Sequence, residues 1–304
     1  MKKRSKTRRN VEAVIWYIVM GILAILFVLP FIWMLSTAFK TGPQCVDYPP
    51  TFIPRPFSLR AFKEVFAISP IFKYIRNSLV IVGLNIFGTL LSCSLVAYGF
   101  SRFNCKEKNI WFTILLSTMM IPNFTLIIPQ FGMYTKLKWV NTILPLTVPA
   151  FLATNAFSVF ILRQFFLSFP KELDEAARLD GCSYFGVFWR ILLPNSKTVM
   201  FVVALFCFVG SWNDFFGPLI YLNDMEKYTL AVGLVMLKAS QGATLDMGPM
   251  MAAALIAVIP TFILYLTCQK YFVQGVVTSG LKGEGEKICL KNWYIRQILE
   301  MVTI

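Results

Sequence analysis

The stretch 168-SFPKELDEAARLDGCSYFGVFWRILLP-194 is the one long water-compatible segment between strongly apolar runs, and its reading decides how the rest is read. Pro170 suits a first helical turn, where its missing N–H is no loss, and Glu172, Asp174 and Glu175 follow at the positive end of the helix dipole. Ser168 is a nearby candidate cap. Leu173, Ala176, Ala177 and Asp180 fall at i, i+3, i+4 and i+7, which predicts one small, mostly apolar face, with Glu172, Glu175 and Arg178 pointing elsewhere. Such a face fits a shallow groove. Gly181 has the backbone freedom to end this helix, Ser183 can cap a second, and Pro194 stops it. A compact helical elbow is expected.

Outward from the elbow the chain is apolar. Of its 304 residues 57% are hydrophobic and 14% charged, which fits a polytopic membrane protein and not a soluble domain. Runs near the ~20 residues that cross a bilayer as a helix begin with Val14 to Met34 and continue at Leu79 to Phe100, Ile110 to Phe131, Ile143 to Leu162, Val199 to Leu222 and Met250 to Tyr271. An all-α polytopic fold of six transmembrane helices follows, with a basic tail over 1–13, a membrane domain over 14–272 that carries the loop 168–194, and a C-terminal tail over 273–304. The first run is too long for a signal peptide and lacks a cleavage site, so it is read as an anchor. With the N-terminus inside, nineteen of the 29 Lys and Arg fall in inner segments and ten in outer ones, placing both termini and the elbow in the cytoplasm.

The formal charge of +14 is spread between apolar runs and at the ends instead of along one soluble face, which argues against a nucleic-acid partner. Seven cysteines are scattered without a CxxC pair, so neither a metal knuckle nor a disulfide frame is indicated. There is no histidine, and the nearest approach to a phosphate-binding GxxxxGK loop, Gly280 to Gly285, is followed by Glu286. The chain is therefore read as no enzyme, without cofactor or metal, and any ATP hydrolysis belongs to a separate subunit.

Polar groups stand in costly places along the apolar runs. The third holds Pro122, Asn123 and Pro129, the fourth Pro145, Pro149 and Asn155; prolines there free carbonyls and bend helices, either to line a passage or as ordinary packing kinks. The fifth holds Gly210 to Leu219, GSWNDFFGPL. Trp212 offers a stacking face, Asn213 an amide and Asp214 a charge costing ~2.5–3.5 kcal/mol at a helix centre, so Asp214 either faces a cavity or lies near the outer interface. Gly88 and Ser92 fit a small-residue face for close helix packing. The first outer loop, Lys40 to Phe72, has six prolines and is expected to be extended, either a connector or part of a receiving surface.

The spacing Glu175-Ala176-Ala177, three residues, Gly181, nine residues, Ile191, one residue, Leu193-Pro194 resembles the cytoplasmic signature of ABC importer permeases, and WNDFF-PL and 269-QKYFVQGVVTSGLKG-283 resemble their sugar branch of the maltose-transporter type. The resemblance implies the type I permease architecture, with the elbow as the coupling helix that docks on a separate ATP-binding subunit through Leu173, Glu175, Ala176, Ala177, Asp180, Gly181, Leu193 and Pro194. It further implies two copies of that ATPase, a second homologous permease, an extracytoplasmic solute-binding protein, a mono- or oligosaccharide as substrate and a bacterial inner-membrane location. Asn123, Asn155, Trp212, Asn213 and Asp214 are its candidate pathway-lining residues. Residues 284–304 depart from the family pattern and receive no role. The residues alone leave open a self-sufficient secondary transporter working through Asp214, a permease for a non-sugar solute, or a scaffold whose elbow docks a soluble protein.

Overall fold

The computed structural model describes residues 6–240 and 246–280, with side chains described for 14–122, 124–239 and 246–268. The tail 284–304 lies outside them. Two compact units meet inside the last helix, one running to Ile259 and the other beginning at Pro260.

Among the described residues the secondary structure is helical throughout. Four segments are long and apolar enough to cross a membrane: Val14–Ala38, Ile71–Arg102, Leu144–Leu167 and Gly248–Cys268. Two bent pairs, Lys108–Met120 with Phe124–Lys136 and Tyr184–Asn195 with Lys197–Trp212, raise the number to six if each is one span. Helix α1 is Lys6–Ala38. From Val14 to Ile32 its large apolar side chains are exposed all round, as a lipid-facing helix requires. Its far end is fastened: Trp33 meets Phe52 edge-on at 5.2 Å, Phe39 stacks on Phe57 at 4.5 Å, and the Lys40 ammonium lies 4.2 Å over the Trp33 ring.

The loop after α1 is less extended than its prolines suggest. A short helix α2 covers Gly42–Val46 and a longer one, α3, Arg60–Ile68. Residues 57–69 contain no proline, and Ala61 and Val65, one turn apart, are buried, so burial of a helical face overrides the loop's composition.

Helix α4, Ile71–Arg102, has 32 residues and no proline, a continuous rod of about 48 Å at 1.5 Å per residue. It begins eight residues before the apolar run because Lys73, Arg76 and Asn77 sit in its exposed first turns. One cluster gathers Ile71, Tyr74 and Val82 of α4 with Val65, Trp212, Leu230 and Ala253; another gathers Cys93, Ala97 and Tyr98 with Val159, Leu162, Phe166 and Leu192. The small-residue face works as expected at one place: a Cβ on Gly88 would stand 2.7 Å from the Phe151 ring, and Ser92 Oγ donates to the Ala150 carbonyl at 2.7 Å.

The prolines act as interrupters. Helix α5, Lys108–Ser117, ends in a 3₁₀ turn, and after Pro122 helix α6, Asn123–Lys136, leaves at 101°; Pro129 stays within α6. In the next span α7, Leu144–Thr147, passes through a 3₁₀ turn at Val148–Leu152 to α8, Ala156–Leu167. The elbow follows as α9, Glu172–Leu179, α10, Tyr184–Val187, and α11, Leu193–Asn195. Then come α12, Lys197–Trp212, α13, Phe216–Tyr221, α14, Leu230–Ser240, and α15, Gly248–Gly280.

Candidate functional site: the helical elbow and its anchorage

The elbow is built from local rules. Helix α9 carries Glu172, Asp174 and Glu175 in its first turn and Arg178 in its last, the charge order its dipole favours. It ends in a Schellman motif: Cys182 N donates to Ala177 O at 2.9 Å and Gly181 N to Arg178 O at 3.0 Å, with Gly181 at φ 86°. Ser183 Oγ then accepts from Gly186 N at 3.1 Å, capping α10. Ser168 does not cap α9; its hydroxyl donates back to Phe165 O at 2.6 Å and closes α8.

The second arm runs through a π turn, Phe188–Leu192, into α11. Pro194 has no N–H to return to Arg190 O, and on the next two carbonyls side chains add bonds: Asn195 Nδ2 donates to Ile191 O at 2.7 Å and Ser196 Oγ to Leu192 O at 2.6 Å. The arm bends 78° into α12 just past Pro194. Leu193 packs half-buried against the cluster of Tyr98 and Phe188, while Pro194 is exposed.

The predicted face of α9 divides. Ala177 is 7% exposed and turned into the protein, where only a methyl fits. Leu173, Ala176 and Asp180 face outward, as does Glu175, and Leu179, which the spacing did not single out, is 91% exposed. A leucine so bare beside Ala176 makes an apolar tip with no intramolecular cover.

The last turn of α4 holds both arms. Arg102 Nε lies 2.8 Å from Asp174 Oδ2, with side chains 5% and 16% exposed, and Arg102 Nη1 donates to Phe169 O at 3.3 Å. Tyr98 OH donates to Tyr184 O at 2.9 Å, and Arg178 lies 4.4 Å over the Tyr184 ring. Burial pushes the Asp174 carboxyl above its usual range; the Arg102 guanidinium opposes this and Glu175 reinforces it. Neither Tyr98 nor Arg102 stood out in the sequence, since their partners lie scores of residues away.

The intramembrane candidates have mostly structural partners. Trp212 is 5% exposed, stacked on Phe208 at 5.7 Å, with Nε1 donating to Ala257 O at 3.2 Å, so its ring is packed within the chain. Asp214 is not at a helix centre but in the break between α12 and α13, where Oδ1 accepts from Gly217 N at 3.2 Å. A Cβ on Gly217 would stand 2.5 Å from Asp214 Oδ2, so glycine admits the carboxylate. Asn155 Oδ1 caps α8 by accepting from Ser158 N at 3.0 Å. Asn213 is exposed, its Nδ2 donating to Val209 O at 2.9 Å. Asn123 opens α6, and its side chain lies outside the described ones.

At the other end of α4, Asn77 Nδ2 donates to Glu226 O at 2.8 Å and Tyr228 O at 3.1 Å, Ser78 Oγ accepts from Leu230 N at 2.8 Å, and Lys73 pairs with Glu226 at 2.5 Å. Asp224 pairs with Lys227 at 2.8 Å and accepts from Asn141 Nδ2 at 2.8 Å. These cations and the amide hold the Glu226 and Asp224 carboxyls below the usual range.

The protein is similar to the arabinooligosaccharide transport system permease protein AraQ of Halalkalibacterium halodurans, 31% identical over 281 residues that cover 91% of this chain and 99% of that one. The trehalose/maltose transport system permease protein MalG of Thermococcus litoralis is 33% identical over 265 residues, covering 86% and 94%. The fold matches a chain in the crystal structure of a bacterial ABC transporter that imports alginate, at TM-score 0.77 and 22% identity, covering 90% of this chain and 100% of that one. The family pattern described as the inner membrane component of binding-protein-dependent transport systems spans residues 88–278, which contain the whole elbow. The chain belongs to this family of multi-pass membrane permeases.

Proposed function

We propose that this protein is the permease subunit of an ATP-driven importer of a mono- or oligosaccharide, and that its elbow docks on a separate ATP-binding subunit. The observation that carries the reading is the tip of α9: Leu173, Ala176 and Leu179 are exposed beside Glu175 and Asp180, on an arm whose fold is fixed by its own caps and by Arg102 and Tyr98. An apolar patch on a rigid, otherwise polar projection suits a shallow groove on a soluble partner. Leu173, Glu175, Ala176, Asp180 and the Gly181 turn form the docking surface. Ala177, Leu193 and Pro194 set its angle.

In this reading the elbow and both termini are cytoplasmic, in a bacterial inner membrane. Two ATPase copies, a second homologous permease and an extracytoplasmic binding protein complete the assembly. The sugar substrate follows from the relatives, permease proteins of arabinooligosaccharide and trehalose/maltose transport systems. Of the polar candidates with described side chains, Asn155 and Asn213 are the exposed ones and are assigned to the route; Asp214, engaged with Gly217, shapes the break beside Asn213. That engagement also weakens the case for Asp214 as the ion site of an independent transporter.

Reconstitution with a family ATP-binding subunit, a second permease and a solute-binding protein tests the reading. Leu179→Asp is expected to lower ATPase co-purification and uptake of labelled sugar at least tenfold while membrane insertion persists. Full ATPase retention and uptake in that variant would remove the docking assignment.

A further inference from the structure

The elbow is joined to the membrane bundle in an unusually concentrated way. Asp174 is the partly buried acid of α9, and the cation that meets it is not on the elbow but on the final residue of α4. The same side chain reaches Phe169 O in the link ahead of α9, and one turn earlier Tyr98 reaches Tyr184 O at the head of α10. Both arms are therefore gripped by one turn of one helix. That helix continues without proline for 32 residues to Lys73, Asn77 and Ser78, which bind the backbone or side chains of Glu226, Tyr228 and Leu230.

A flexible tether would serve if the elbow only had to be present. An ion pair with side chains 5% and 16% exposed is different: its attraction is little screened, and any separation of the partners leaves charge stranded in a dry place. The elbow and α4 must therefore move together or not at all. On α9 itself Leu173, Glu175, Ala176 and Leu179 face outward, so this arm depends on Asp174 and Ala177, whereas the second arm is also held by Phe188 and Leu192, buried in the cluster with Tyr98.

We infer that Arg102 and Asp174 form a joint through which displacement of α9 is delivered to α4, and through α4 to the segment Glu226–Leu230 at its opposite end. Arg102 is thus a positioning residue for coupling, acting through Asp174 and not on the ATPase or the solute. The inference rests on the assignment of the elbow as the ATPase dock. It adds a specific route by which work reaches the opposite face, carried by a contiguous network of named contacts.

The test uses the full assembly, permeases with ATPase and binding protein, in proteoliposomes, and reads sugar moved per ATP hydrolysed. Asp174→Asn and Arg102→Gln are expected to keep the ATPase bound and hydrolysing but to lower sugar moved per ATP at least tenfold. The exchange Arg102→Asp with Asp174→Arg is expected to recover a substantial part of that ratio. An unchanged ratio in the single variants overturns the joint, and so does loss of the ATPase from them, since the pair would then serve only to hold the dock in shape. Where neither neutral variant accumulates in the membrane at all, Arg102→Lys carries the same reading: a lowered ratio with hydrolysis retained supports the joint, and an unaltered ratio overturns it. Leu179→Asp, run in parallel, keeps the two claims apart, because its failure to release the ATPase would strike the docking assignment without reference to Arg102.

Discussion

Gly181 stands at φ 86° with open space where a side chain would go, so its constraint is conformational and not steric. An L-residue there costs about 1–2 kcal/mol, and the two capping bonds from Gly181 and Cys182 resist relaxation. Gly181→Ala is therefore expected to loosen the elbow turn by roughly that amount. Faster proteolysis within 179–184 in the isolated membrane fraction, with the remaining pattern unchanged, would show it; an unaltered cleavage rate would contradict the strained turn. Asp214 invites a different comparison. Its Oδ1 accepts from Gly217 N, a bond that asparagine can also make and alanine cannot. Asp214→Asn should retain stability and uptake, whereas Asp214→Ala should lose about 0.5–2 kcal/mol as a lost cap does. Uptake abolished by Asp214→Asn with the fold intact would restore the charge itself to a transport role.

At the scale of elements, what could be read in advance was whatever is encoded by neighbours. The acids 172–175, Gly181 and Ser183 specify helix, turn and cap within about a dozen residues, and the structure has them in those roles; Pro170 lies just ahead of the Lys171 N-cap instead of inside the first turn, and Ser168 closes α8. Pro122 announced the break between α5 and α6. Pairings across distance were not legible: Arg102 with Asp174, Tyr98 with Tyr184, Asn77 with the 226–228 backbone. The partner of Trp212 was hidden for the same reason, since its Nε1 is satisfied by Ala257, 45 residues on. Helix α3 was hidden by the prolines around it, although Ala61 and Val65 carried its period. The segment held by the first turns of α4 has its own pH signature. A carboxyl whose folded pKa lies below its unfolded one stabilises the fold above the unfolded value and loses that contribution as pH falls through the folded value. Asp224 and Glu226 are both of this kind, held down by Lys227, Asn141 and Lys73. A spin label at Met225 should thus keep constant mobility from pH 8 to 5 and become more mobile only below about pH 4, the ordinary carboxylate range. Mobility rising already near pH 6 would show that these ion pairs do not pin the segment.

At the scale of the molecule, the membrane sets the sense of inside and outside. Val14 to Ile32 on α1 are exposed on every side, a surface no soluble protein could carry, while the buried clusters run along α4 between α8, α12 and the segment before α14. Polar residues of the bundle find partners within it, as a bilayer demands: Ser92 on the Ala150 carbonyl, Trp212 on the Ala257 carbonyl, and Asn85 Nδ2 on Ser211 Oγ, although Asn85 Oδ1 is buried without a partner. This divides the seven tryptophans by what they touch. Trp16 is 63% exposed on α1 and Trp212 is 5% exposed in the cluster with Tyr74 and Leu230. Two variants that each retain one of these residues, the other six replaced by phenylalanine, separate lipid contact from burial when reconstituted into bilayers with brominated acyl chains. Bromine quenches at contact range, so Trp16 emission should fall severalfold more than that of Trp212. Equal quenching would mean that Trp212 meets lipid and that the α4 cluster is not the core of the bundle; weak quenching of Trp16 would mean that α1 is covered by protein even when this chain is reconstituted by itself.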